Sequence, residues 1–136
     1  MDISFTVYGI PTPQGSMKAF VNRRTRRAYL TTDNKRLKPW RQEVSGAAVV
    51  AFAGVAPAER KTGVGVYLSF FFDRPKSVSK KIADKTTKPD LDKLLRGVLD
   101  SLTGIAYEDD SQVVRSGQSK QFGSPARVEV RVLTAE

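Results

Sequence analysis

Apolar and polar residues alternate from the first positions of the chain. Ile3, Phe5 and Val7 interleave with Ser4, Thr6 and Tyr8, a period of two that predicts a strand ending at Gly9. The loop Pro11-Thr12-Pro13-Gln14-Gly15-Ser16 follows, rich in residues that interrupt regular structure. Ala19 to Asn22 and Ala28 to Thr32 read as the arms of a short hairpin around Arg23-Arg24-Thr25-Arg26-Arg27. The pattern then predicts a helix from about Leu37 to Ala53, with Pro39 tolerated in its first turn, Trp40 as a core anchor and Gly54 as the stop. Val64 to Phe72 is apolar on both faces, including three consecutive phenylalanines, and reads as a strand covered on both sides.

The next stretch, Arg74 to Pro89, is polar, Lys-rich and without period, and reads as a loop that an anion would order. Leu91, Leu94, Leu95, Val98, Leu99 and Leu102 fall at i, i+3, i+4, i+7, i+8 and i+11, an amphipathic helix with Gly104 as terminator. The last segments, about Gln112 to Gln121 and Arg127 to Leu133, read as a hairpin through Phe122-Gly123-Ser124-Pro125. Together these elements predict an α/β (α+β) fold, a mixed sheet flanked by two main helices. At 136 residues the chain, positions 1–136, is sized for a single domain.

Composition narrows the chemistry. The chain has no histidine and no cysteine, which removes thiol nucleophiles, His/Cys zinc sites, haem ligation and Ser-His-Asp triads. Acids and bases must be carboxylates, lysines or water, and a bound metal must accept oxygen ligands, as Mg²⁺, Mn²⁺ and Ca²⁺ do. The opening residues resemble no secretory segment and no apolar run reaches membrane-spanning length, so a soluble intracellular protein is expected. With 23 Lys+Arg against 14 Asp+Glu, a formal net charge of +9, the expected partner is a polyanion, nucleic acid before a membrane surface. The four arginines between positions 23 and 27 form either a phosphate-gripping finger or a solubilising turn.

Against that basic background the acids are concentrated. Asp90, Asp92, Asp100, Glu108, Asp109 and Asp110 share a window with only Lys93 and Arg96. Pro89 suits the approach to a helix, and Asp90 is a favoured N-cap whose non-helical dihedrals let its carboxylate turn toward that of Asp92. Both acids could simply complement the helix dipole. Glu108-Asp109-Asp110, however, returns toward the same helix, and carboxylates converging on one point repel unless a divalent cation joins them. Such a cation would supply what phosphodiester cleavage needs, an activated water and charge neutralisation on the phosphate. Arg96, one turn beyond Asp92, is placed either to touch that phosphate or to make an i,i+4 salt bridge with Asp92 or Asp100.

Lys88-Pro89-Asp90-Leu91-Asp92-Lys93-Leu94-Leu95-Arg96-Gly97-Val98-Leu99-Asp100, followed by Gly104-Ile105-Ala106-Tyr107 and Asp109-Asp110-Ser111-Gln112-Val113, closely resembles the RusA family of Holliday junction resolvases, common in prophages. The stretches Gly9-Ile10-Pro11, Pro13-Gln14-Gly15-Ser16-Met17-Lys18 and Phe72-Asp73-Arg74-Pro75-Lys76 are also similar to phage-type members, so the likeness covers nearly the whole chain. The resemblance implies a small homodimer in the bacterial cytoplasm that nicks four-way DNA junctions in recombination and repair. It implies Mg²⁺, with Mn²⁺ as a substitute, held by Asp90, Asp92 and Asp110, with Asp109 as the fallback for the third ligand.

Arg96 stands where the family usually has Lys, and Lys93 where it usually has Asn. Arg96 keeps a positive charge for the phosphate, but a guanidinium does not shuttle protons at neutral pH. DNA contacts are expected from Lys18, Arg23, Arg24, Arg26, Arg27, Lys76, Lys88 and Lys93. The competing reading is a basic DNA-binding protein without catalysis, its acids serving as caps and counterbalance. A PD-(D/E)xK nuclease is disfavoured, since Asp92 stands where that pattern wants Lys.

Overall fold

The computed structural model describes residues 1–135 apart from Ser16, Asn22, Arg23, Arg27, Asp33 and Asn34, and between positions 16 and 34 it describes the side chains of Arg24, Thr25 and Arg26 alone. Strands β1 (Asp2–Tyr8), β2 (Met17–Val21) and β3 (Ala28–Thr32) precede helix α1 (Leu37–Ala51), and strand β4 (Val64–Phe72) precedes helix α2 (Leu91–Leu102). A 3₁₀ turn (Asp110–Gln112) then leads into β5 (Val113–Phe122) and β6 (Arg127–Thr134). β2 and β3 form their own two-stranded antiparallel sheet, and the other strands form a mixed sheet in the order β1-β6-β4-β5. In that sheet β4 is antiparallel to β6 and parallel to β5. The architecture is the expected α+β one, a mixed sheet with two helices.

One face of the sheet carries the core. Val64, Val66, Leu68 and Phe70 of β4 and Val128, Val130 and Val132 of β6 are buried with Trp40, Val44 and Ala48 of α1 and Leu94, Val98 and Leu102 of α2. The helix residues recur at helical spacing and the strand residues at every second position, so the two periods read from the sequence meet in one interior. Trp40 is 4% exposed, the core anchor expected of it. Gly54 and Gly104, the expected stops, both have positive φ, at 78° and 85°.

Two expectations are corrected. β5 and β6 do not form a hairpin, because β4 lies between them and pairs with both. The short connection crosses the end of β4, where Gly123 N donates to Phe72 O at 2.9 Å. A Cβ at Gly123 would come within 2.6 Å of Phe71 Cδ1, so the crossing needs glycine. Placing β4 centrally buries the most apolar strand, which a β5–β6 hairpin would leave at an edge.

β4 is also not covered on both sides, since Tyr67 on its second face is 38% exposed. That face shields itself. The Tyr67 ring lies so close to Gly65 and Gly117 that Cβ atoms there would approach it to 3.2 and 3.0 Å. The Arg127 guanidinium sits 3.9 Å from the centroid of Phe71.

The segment between β4 and α2 is held by the protein itself. Arg74 donates to the carbonyls of Ser79 and Ile82, and Phe122 N donates to Ala83 O at 2.8 Å. The segment is a loop, as expected, and these hydrogen bonds tie it to itself and to the end of β5. Among the described residues no helix is long and apolar enough to cross a membrane.

Candidate active site

α2 carries three of the four residues expected to do chemistry. Asp90 occupies its N-cap position with extended dihedrals (φ −71°, ψ 139°), but its carboxylate makes no capping hydrogen bond. Asp92 lies in the first turn, and both carboxylates are exposed. The loop after β1 packs across this turn, with Gln14 N donating to Lys93 O at 3.0 Å. Pro13, Gln14 and Gly15 thereby line a hollow with Lys88, Pro89, Asp90 and Lys93.

The chain beyond α2 comes back along the helix for identifiable reasons. Gly104 N donates to Tyr107 O at 2.7 Å and Ala106 N to Leu102 O at 3.0 Å, which closes a tight turn. Tyr107 is fully buried and its hydroxyl donates to Leu99 O at 2.6 Å, tying the returning strand to the helix flank. Burial and the neighbouring Asp110 and Asp100 carboxylates raise the pKa of this phenol well above its ordinary value, so it remains a neutral donor.

Gln112 completes the return. It is 5% exposed, its Oε1 accepts from Glu108 N (2.9 Å) and Asp109 N (3.0 Å), and its Nε2 donates to Ala58 O (3.1 Å), Glu59 O (2.7 Å) and Thr62 O (3.2 Å). A buried amide with its donors and acceptor engaged fixes the turn to the body of the protein.

This turn separates the two adjacent acids. The Asp109 carboxylate accepts from the backbone N–H and the hydroxyl of Ser111, which hold its pKa below the ordinary carboxylate value. It is a cap of the 3₁₀ turn. Asp110 instead faces α2, its Oδ2 lying 3.8 Å from Arg96 Nη1 while Arg96 Nε lies 3.5 Å from Asp100 Oδ1. Arg96 thus bridges Asp110 and Asp100, the second being one of its two expected i,i+4 partners.

The expected ligands therefore stand in two groups along one helix, Asp90 with Asp92 at its start and Asp110 with Asp100 farther along. Among the described residues no three acids are gathered closely enough to hold a metal ion. The donor chemistry, oxygen only and anionic, fits a hard divalent cation.

Of the residues expected to touch DNA, Lys76 and Lys88 are exposed and Lys93 is half-buried. Arg24 and Arg26 are exposed in the β2–β3 connection, Lys18 lies on β2 with its side chain outside the described part, and Arg23 and Arg27 lie outside the described residues.

With the site in place, comparison with known proteins defines the class. Residues 10–133 match the family profile of the endodeoxyribonuclease RusA, and the chain belongs to that family of nucleases. It is also similar to the uncharacterized protein YqaN of Bacillus subtilis (strain 168), 37% identical over 141 aligned positions that cover 96% of this chain and 94% of the relative.

Proposed function

We propose that this endodeoxyribonuclease resolves four-way DNA junctions by paired nicks, as a homodimer, with a divalent cation held by Asp90, Asp92 and Asp110. The observation that carries the reading is the delivery of Asp110 to the flank of the helix that begins with Asp90 and Asp92, where it meets Arg96. A solvated acidic patch would not need a buried glutamine and a buried tyrosine to place one carboxylate. When bound, Mg²⁺ or Mn²⁺ would supply an activated water and neutralise charge on the scissile phosphate.

The chain's own residues divide the remaining work. Lys76, Lys88, Lys93 and the arginines of the β2–β3 connection hold the backbone by charge, a sequence-independent attraction that weakens steeply with salt. Arg96 neutralises the phosphate under attack, at which point it exchanges a carboxylate partner for a phosphate oxygen. Asp109 keeps the turn in shape. Two strands must be cut in one junction and one chain has one such site, so a two-fold dimer supplies the second.

The deciding measurement compares a synthetic four-way junction with linear duplex of the same sequence, each with Mg²⁺ and with chelator. Junction nicking only with the metal is the expected outcome. Equal cutting of both DNAs, cutting in chelator, or binding without cutting would overturn the reading, the last in favour of a non-catalytic DNA-binding protein.

A further inference from the structure

Lys120 lies near the end of β5, the strand that begins just after the turn carrying Asp110. Its ammonium group reaches neither a carboxylate of the site nor the acids of α2, but the main chain that leads into that helix. Lys120 Nζ donates to Thr87 O at 2.7 Å and to Pro89 O at 2.8 Å. These carbonyls flank Lys88, and the second belongs to the residue immediately before Asp90.

The same segment is fastened again from Lys85. Lys85 Nζ donates to Thr87 Oγ1 at 2.8 Å, and Lys85 N donates to Lys120 O at 3.3 Å. The Lys85 ammonium also lies over the rings of Phe72 and Phe122, at 5.4 and 5.7 Å from their centroids. Burial and the charge of Lys120 lower its pKa. Two ammonium groups thus crowd one threonine, a repulsive arrangement that hydrogen bonds to fixed acceptors offset.

We infer that Lys120 is a positioning residue for the nuclease centre: by holding Thr87 O and Pro89 O it sets where Asp90 and Asp92 stand relative to β5 and hence to Asp110. The two groups of acids approach the site from different segments, and a single strand ties both. Asp110 enters through the turn at the start of β5, and the entry to α2 is bonded to Lys120 near its end. Asp90 makes no capping hydrogen bond of its own, so its placement depends on the backbone just before it.

The inference rests on the reading of Asp90, Asp92 and Asp110 as one centre, and the test separates the two. Lys120→Met removes the donors and keeps the length of the side chain, Lys120→Arg can still donate to both carbonyls, and Lys120→Leu, which also has no donor, replaces the Met variant should that variant not fold. For Lys120→Met, single-turnover nicking at saturating protein is expected to fall about 30-fold, with half-maximal Mg²⁺ rising about tenfold, as for other residues that orient metal ligands. Junction affinity stays within about threefold, because many basic residues hold the backbone. Mn²⁺ binding followed by electron paramagnetic resonance without DNA weakens about tenfold, and Lys120→Arg restores most of each loss.

Hydrogen exchange over residues 88–94 supplies a readout that needs no activity, and it quickens in the Met variant. Unchanged nicking and metal binding in Lys120→Met overturn the inference, as does a loss of nicking matched by an equal loss of junction affinity, which would make Lys120 a DNA contact. If the parent protein nicks nothing and binds no Mn²⁺, the functional reading falls, and quickened exchange at 88–94 still supports the strut while unaltered exchange removes it too.

Discussion

The two ends of α2 present the same residue type in opposite settings. At its start, Asp90 and Asp92 are exposed, and their position is fixed indirectly through the main chain before the helix. Farther along, Asp110 is set by side chains: the amide of Gln112 underneath, the Tyr107 hydroxyl on Leu99 and the Arg96 guanidinium facing it. The first end leaves its carboxylates open to what arrives from solvent. The second already balances its carboxylates with Arg96, so a cation that binds there must compete with a positive charge. On the proposed reading, the acids left for a cation differ from the acid that caps a turn in whether a backbone donor claims the carboxylate, and Asp109 is the one so claimed.

The hardest strain on this comparison comes from removing one charge at either end. Asp92→Asn and Asp110→Asn should each cost on the order of 10³-fold in nicking, the loss of several kcal/mol of charge stabilisation at the reacting phosphate. Junction binding should hold or tighten, since each change removes a negative charge facing phosphates. Asp109→Asn should stay within about threefold of the parent, because asparagine is an equally good cap. Single-turnover rates on a four-way junction rank the variants, and a ranking in which Asp109 matters more than Asp110 would reverse the assignment of the two adjacent acids.

A smaller effect is expected at the residue between the ends. Arg96→Ala should slow nicking about 10²-fold, as removal of one oriented donor at a developing charge does, while Arg96→Lys keeps substantial activity. The guanidinium is largely exposed and its pairs with Asp100 and Asp110 are 3.5 and 3.8 Å long, so stability should change by less than about 1 kcal/mol. Near-parental nicking by the Ala variant would make Arg96 a surface salt-bridge partner only.

How much of this was legible in the chain depends on the range of the interaction. α2 and its stop at Gly104 followed from local periodicity, and the acids followed from their spacing around it. The sheet order did not, because the four residues between β5 and β6 look like any hairpin loop, and only the burial of β4 as a whole decides that it lies between them. Asp90 was placed correctly at the helix start, yet its carboxylate does not cap. Lys120 gave no local sign at all, standing in a strand of alternating polar residues as if it faced solvent. Gln112 was visible as part of a motif, but glutamine is mostly exposed in proteins, and its burial depends on carbonyls at Ala58, Glu59 and Thr62 far back in the sequence.

That distant anchoring gives a smaller expected loss of nicking than Asp92→Asn, Asp110→Asn or Arg96→Ala, and the largest loss of stability. Gln112→Met keeps the volume of the side chain and removes every hydrogen bond it makes. Two amides and three carbonyls then lose a buried partner. Some of these groups will reach water, so unfolding in urea should show a loss of about 3 kcal/mol, not a full penalty for each. If Gln112 served the fold alone, molecules that remain folded would nick at the parental rate. If it also aims Asp110, nicking measured well below the melting temperature should drop about tenfold, because a carboxylate displaced by a fraction of an ångström no longer meets its partners. Rescue separates the cases again: a stabilising ligand or lower temperature restores a folding defect, while a misaimed Asp110 leaves the rate low in fully folded protein.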